Sequence, residues 1–392
     1  MKYTICAVTG TRADYGLLKE TLFRLQQNES ITLDLMVTGS HLSSAFGNTE
    51  EEIREDGFRD YSCIPIPLED DSKEGMAKAT GAAVCAFADY FLNYRPDLLL
   101  VLGDRYEILA AAIAAHMQGI PIAHISGGDV TEGAVDDAIR HSVTKLSLLH
   151  FPGCEQSRRR IIQMGESPDR VFNVGEPGVE NCMKTRILNR ESLAKNLDFP
   201  SLLGDYAVVT FHPVTMEDNT GGEQVRALIR AMDDIQNLAY IITLANVDAG
   251  GRLINQIWQA EGKIHRNWLV ISSLGAVRYL SAMKYAQAVI GNSSSGIIEA
   301  PTMGIPTVNI GDRQKGRMMC ESIISCEPEE AKIRDAILQV LQPAFRQIAQ
   351  HVISPFGDGH TSEQIEYHLI QYLKENRNTT EKAFYDINFA LG

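Results

Sequence analysis

No Cys-x-x-Cys pair occurs anywhere in the chain. Its seven cysteines, Cys6, Cys63, Cys85, Cys154, Cys182, Cys320 and Cys326, are odd in number and scattered. That spacing supports neither a disulfide framework nor a structural zinc site, and no metal is expected. Positive charge is in deficit as well: 36 Lys and Arg stand against 50 Asp and Glu, for a net charge of −14. A broad nucleic-acid surface is therefore not expected, although a single anionic ligand can be served by local arginines and helix ends. No apolar run approaches the ~20 residues of a bilayer span. Met1-Lys2-Tyr3-Thr4-Ile5 enters a strand pattern directly, without a signal-peptide profile, so the expected location is cytoplasmic. No Gly-x-Gly-x-x-Gly follows the first strand and no P-loop motif occurs. Nicotinamide, flavin and P-loop chemistry are not supported, and no cofactor is expected. Short-period repeats and low-complexity segments are absent too.

What the chain does have is alternation. Its 392 residues, 44% hydrophobic and 22% charged, suit a globular protein of two ordinary domains. Strand patterns at 3–8, 31–37, 97–102, 120–125, 148–151 and 171–174 alternate with helical ones at 17–27, 73–93, 108–117, 135–146 and 155–164. The run 97–102 is almost continuously apolar, as in a parallel strand buried on both faces. A connector at 178–203 resets the pattern. A second βα series then runs from 206–211 to 306–310, followed by helices at 329–341 and 362–374. The expectation is an α/β fold of two Rossmann-like doubly wound domains facing a cleft, 1–176 and 177–375. Residues 376–392 form a tail whose return to the first domain is left open.

Polar residues gather where strands end. Eight such turns fall at 10–14, 38–41, 103–105, 124–129, 211–213, 245–250, 291–299 and 311–314. One is ordinary loop chemistry, whereas eight on one predicted edge point to an active site. The central stretch is Gly291-Asn292-Ser293-Ser294-Ser295-Gly296, after the apolar 286–290 and before a helix predicted from 297. Open backbone N–H groups at such a turn, with the helix dipole, bind phosphate. Serines that only cap the helix are the plainer alternative. Glu299, one turn on, is placed to accept bonds from ribose or sugar hydroxyls.

Six of these motifs, in order, resemble the hydrolysing UDP-N-acetylglucosamine 2-epimerases of the bacterial sialic-acid pathway type. They are Gly10-Thr11-Arg12-Ala13-Asp14-Tyr15-Gly16, Gly103-Asp104-Arg105, Asp136-Asp137-Ala138-Ile139-Arg140-His141, His212-Pro213-Val214-Thr215, Asn246-Val247-Asp248-Ala249-Gly250 and the Gly291 stretch. The resemblance implies a fold like the B-type glycosyltransferases. It implies conversion of UDP-N-acetylglucosamine and water to N-acetylmannosamine and UDP, through a glycal, for sialic acid synthesis. It also implies a UDP-sugar as ligand, no metal or nicotinamide, and a homodimer or homotetramer. By matched motif, Arg12 and Arg313 neutralise the diphosphate, Ser293 and Ser294 donate to it, and Glu299 holds the ribose. Asp14, Arg105, Asn246 and Asp248 count among the binding residues, an Asx-turn being the plain reading of the last two. His212 stabilises the leaving diphosphate or shuttles a proton. His41 and His124 divide between sugar contact and structural work.

Elimination and rehydration at C2 need a base and an acid, and two carboxylates in a partly dry site can fill both posts. Asp104 and Asp136 match acidic family positions, with Asp137 and Glu132 nearby. The family pattern places a glutamate directly before the Gly-Gly pair in some members. Here that position is Ser126, and Asp129 just after the pair is expected to take over the role. Arg140, one turn past Asp136, either pairs with it structurally or orients the base. Arg158, Arg159 and Arg160 read as a solvated face. A UDP-2,4-diacetamido-trideoxyhexose epimerase, a retaining glycosyltransferase of the same fold and a non-catalytic nucleotide-sugar sensor stay open as alternatives.

Overall fold

A computed structural model describes residues 2–43, 49–70, 72–132, 135–213, 221–245, 251–375 and 381–388. The chain divides into two compact units, Met1–Asp129 with Asp136–Glu180 and Phe356–Gly392, and Val130–Val135 with Asn181–Pro355. Each is built on one sheet of six parallel strands.

In the first unit the strands are β1 (Tyr3–Thr9), β2 (Ile31–Thr38), β3 (Tyr61–Ile64), β4 (Leu98–Leu102), β5 (Ile122–Ile125) and β6 (Leu149–Phe151). Their order is β3-β2-β1-β4-β5-β6. β4 shows why the sheet is doubly wound. Leu98, Leu100 and Leu102 enter the core on one face and Leu99 and Val101 the core on the other, so a run without polar breaks is what a central strand needs. The Ala-rich helix Lys73–Asn93 packs on the helix Tyr106–Met117 over the second of these cores.

The second unit repeats the plan with β7 (Tyr206–Thr210), β8 (Ala239–Thr243), β9 (Trp268–Ile271), β10 (Ala288–Gly291), β11 (Thr307–Ile310) and β12 (Ile323–Cys326). They are ordered β12-β11-β10-β7-β8-β9, the same winding as the first sheet. Strand order therefore reverses between β1 and β4 in one unit and between β7 and β10 in the other. At such a point adjacent loops leave in opposite directions and open a crevice at the strand carboxyl ends.

Several elements differ from the sequence reading. Residues 171–174 form no strand; only Val171 bridges to His150. β12, four residues long, and the short amphipathic helix Pro343–His351 are additions to that reading. The helix Thr361–Lys374, assigned by sequence to the second half, packs on the helix Arg12–Gln27 of the first unit. Arg24 donates to Ser362 at 2.9 Å, and Glu180 accepts from the Ser362 amide at 2.7 Å. Beyond it, Lys382 donates to both Glu166 carboxylate oxygens and to the Lys145 and Ser147 carbonyls, at 2.6–2.9 Å. No helix among the described residues is long and apolar enough to cross a membrane.

Candidate functional site

At the first switch point the turn after β1 is organised by Asp14. Its carboxylate accepts from the Thr9 hydroxyl at 2.8 Å and from the Gly10 and Thr11 amides at 3.0 and 2.9 Å, while Thr11 caps the helix in return. His41 is fully buried behind it, with Nε2 3.0 Å from Thr9 Oγ1 and Nδ1 2.7 Å from Thr49 Oγ1. Burial lowers its pKa, although Asp14 pulls the other way. Arg12 is ion-paired with Glu52 at 2.9 Å. Gly10 leaves room for Glu107, since a Cβ there would lie 2.5 Å from Glu107 Oε1 and the side chain would have to shift. Glu107 is fully buried, accepts from Arg105 Nε at 2.6 Å, and has its second oxygen, Oε2, buried without a partner.

After β4, Asp104 pairs with Arg140, which is 2% exposed and also donates to the Asp129 carbonyl at 3.0 Å. Burial alone would lower the Arg140 pKa, but Asp104 and Asp129 together raise it, so the guanidinium stays charged. Arg140 thus reaches off its own helix, and its intrahelical ion pair is with Asp137 at 3.7 Å. Asp136 and Asp137 occupy the first turn of the helix Val135–Leu146. His124 is fully buried and engaged at both nitrogens, by the Gly103 carbonyl at 2.8 Å and Thr144 Oγ1 at 3.2 Å. Burial holds its pKa down to about 3, so it serves the fold as a neutral ring.

The Gly-Gly turn after β5 begins at Ser126 with φ 58°. Its hydroxyl donates to Glu176 Oε2 at 2.7 Å, which brings a carboxylate to the position where the turn's own sequence has none. Asp129 is buried and accepts from Ser157 Oγ at 2.5 Å.

In the second unit the β7–β10 switch point is tied by Asn292. Its side chain accepts from the His212 amide at 2.7 Å and donates to the His212 carbonyl at 2.8 Å, fixing the residue after Phe211. Gly291, at φ 132°, allows this approach, since a Cβ would sit 1.9 Å from the Thr210 carbonyl oxygen. The Asn292 carbonyl accepts from Arg313 Nη1 at 3.1 Å and from Gln314 Nε2 at 2.8 Å. His212 Nδ1 is buried without a hydrogen-bond partner. Burial first and the Arg313 charge second press its pKa down to about 3. Glu299 Oε2 is likewise buried and unpartnered, and burial pushes its pKa up to about 7 against the pull of its own amide and Arg317.

The serine loop corrects one expectation. Residues 294–296 form a 3₁₀ turn capped by Ser293, and the helix Glu299–Thr302 is only four residues long. The amides of residues 295–298 bond to Ser293 and Ser294 at 2.9–3.4 Å, because a tight turn closes on its own oxygens. The positive charge beside the loop is that of Arg313 rather than of an open helix end. Asn246 and Asp248, with Val214 and Thr215, lie outside the described residues. Sequence reasoning gave no role to Asn292, Gln314, Glu107 or Glu176. Asn292 stands inside a quoted motif and Glu107 two residues past Arg105, whereas Glu176 is 50 residues from Ser126 with no local signal. No cluster of three metal-ligating side chains exists among the described residues.

Two doubly wound sheets with polar clusters at their switch points define a double Rossmann-like fold of the B-type glycosyltransferase kind. The sequence model of the UDP-N-acetylglucosamine 2-epimerase family matches residues 24–370, and the chain belongs to that family. A relative from Campylobacter jejuni, named a hydrolysing GDP/UDP-N,N′-diacetylbacillosamine 2-epimerase, is 40% identical over 83% of this chain and 85% of its own. One from Legionella pneumophila, a hydrolysing UDP-N,N′-diacetylbacillosamine 2-epimerase, is 38% identical over 94% and 95%. The crystal structure of the Neisseria meningitidis UDP-GlcNAc 2-epimerase bound to UDP-GlcNAc shares the fold, with TM-score 0.80 and 19% identity, over 94% of this chain and 100% of that one.

Proposed function

We propose that the protein hydrolyses a UDP-activated 2-acetamido sugar with inversion at C2. The observation that carries the reading is the carboxyl edge of β7, β10 and β11, where Arg313 bonds to the Asn292 carbonyl beside a buried neutral His212, and where Glu299, after β10, keeps one carboxylate oxygen buried without a partner. Arg313 suits a diphosphate by its planar fork, and Glu299 is an acceptor awaiting ribose hydroxyls. His212 is a neutral imidazole able to donate to, or take a proton beside, the departing phosphate. The Ser293 and Ser294 hydroxyls add to the phosphate contacts of the second unit, and Arg12 is the first unit's own candidate for a phosphate. In the first unit Asp104, with Asp129 or Asp136, supplies the carboxylates for C2. The C2 proton passes to a carboxylate, its electron pair forms the C1–C2 double bond, and the C1–oxygen bond to UDP breaks. Water then adds its oxygen to C1 while C2 takes a proton on the opposite face.

UDP-N-acetylglucosamine, giving N-acetylmannosamine for sialic acid synthesis, is the substrate the motifs first suggest. The names of the two relatives near 40% identity favour the diacetamido sugar as a second reading. Incubation with each UDP-sugar in turn, following UDP and free sugar, tests both. Release of UDP with an inverted free sugar from either one supports the reaction. UDP released only when a sugar acceptor is added indicates a transferase, and binding without turnover a sensor. The assembly is proposed to be a homodimer or homotetramer, which analytical ultracentrifugation decides.

A further inference from the structure

Ser126 is one of three described non-glycine residues with positive φ, and it sits at the carboxyl end of β5 beside Gly127 and Gly128. Glycine would take this backbone without strain, so what serine adds is its hydroxyl. That hydroxyl has one hydrogen, and it goes to Glu176 Oε2 at 2.7 Å. The partner is expensively placed. Glu176 is 5% exposed, and Gly153 leaves it room, since a Cβ there would be 1.9 Å from Glu176 Oε1. Gly175, at φ 80°, presses its backbone against Gly357 and Phe356, and the Glu176 amide bonds to the Phe356 carbonyl at 2.7 Å. When ionised, the Glu176 carboxylate accepts only, and it then fixes the polarity of the hydroxyl. Ser126 then offers lone pairs and no hydrogen to whatever meets it. It is half-buried, whereas Ile125, Gly127, Gly128 and Asp129 around it are buried.

We infer that Ser126 is a sugar-contacting hydrogen-bond acceptor and Glu176 its positioning residue, together reading an N–H or O–H donor on the sugar. The assignment rests on the UDP-sugar reading above and adds a specificity determinant to it. Glu176 does not touch the sugar; it acts by holding the Ser126 hydrogen away from it.

The test compares wild type, Ser126→Ala, Glu176→Gln, their double variant and Ser126→Gly/Glu176→Gln, with UDP-N-acetylglucosamine and with the diacetamido sugar. Ser126→Ala is expected to raise KM about tenfold to a hundredfold with kcat little changed, the scale of leaving one buried donor without its acceptor. A loss with both sugars assigns the donor to a group they share, and a loss with the diacetamido sugar alone assigns it to the second acetamido N–H. Glu176→Gln should add almost nothing once Ser126 is alanine, as for two residues acting as a unit. Ser126→Gly/Glu176→Gln removes both the strain and the buried carboxyl group, so its Tm should match or exceed wild type while KM stays raised. Unchanged KM for Ser126→Ala with both sugars overturns the assignment, as do additive effects accompanied by a lowered Tm, which indicate purely structural residues. Wild type that releases no UDP from either sugar overturns the functional reading itself, and this one with it.

Discussion

Replacing Glu299 by glutamine isolates the most exposed consequence of the nucleotide half-site, a carboxylate buried before its ligand arrives. Burial moves its pKa from the ordinary 4.5 up to about 7. In the unfolded chain the group loses its proton near 4.5, while in the folded protein it keeps it until about 7. Across that window the unfolded state holds fewer protons, so stability falls as pH rises, and the loss is complete above 7. At 1.36 kcal/mol per pH unit the penalty is about 3 kcal/mol. Glutamine has the shape without the charge. Glu299→Gln should therefore match wild type at pH 4.5 and exceed it at pH 8, by roughly 6–12 °C in Tm for a unit of this size. Both tryptophans of the chain, Trp258 and Trp268, lie buried in the second unit, so tryptophan fluorescence reads the relevant transition. Ribose hydroxyls would stabilise the ionised carboxylate, so UDP binding near pH 7 should release protons from wild type and not from the variant. Calorimetry in buffers of different ionisation enthalpy measures that release. An offset between the proteins that is the same at pH 4.5 and pH 8 would refute the reasoning.

Arg313→Ala should weaken UDP binding by about 1.5–3 kcal/mol, the worth of charge-assisted bonds to a diphosphate; unchanged affinity by calorimetry removes Arg313 from the site. Bound diphosphate favours the imidazolium, so the His212 pKa should rise from about 3 in the UDP complex, with tighter UDP binding as pH falls. Ring chemical shifts followed over pH with and without UDP check this, and a stationary His212 places it away from the phosphates. Asp104→Asn should cut turnover ~10²-fold or more while leaving UDP affinity nearly unchanged. Product formed in deuterium oxide by wild type should carry deuterium at C2, and product without it sinks the elimination mechanism.

The repeated βα alternation was legible because its signals are local. Period, apolar run length and proline stops sit within a dozen residues, as in the helix Lys73–Asn93, whose bounds the pattern gives directly. β12 escaped, and 171–174 was expected as a strand but keeps only the Val171 bridge, because short edge strands take their pairing from a neighbour rather than from their own pattern. The return of the helix Thr361–Lys374 to the first unit escaped for a related reason, since its docking on Arg24 and Glu180 spans hundreds of residues of sequence.

The sequence by itself determined two doubly wound sheets and the residue types at their strand ends, because hydrophobic period and turn chemistry are written residue by residue. Only the tertiary structure decided which of those residues face one another. Arg140 keeps an ion pair with Asp137 on its own helix and also reaches off it to Asp104 and the Asp129 carbonyl, and the serine loop bonds its own amides. His124 is locked neutral, and Glu176 arrives beside Ser126 from 50 residues away. Such choices belong to distance and burial, which set the strength of a charge and the cost of leaving it unpaired, and neither quantity exists until the sheet has closed.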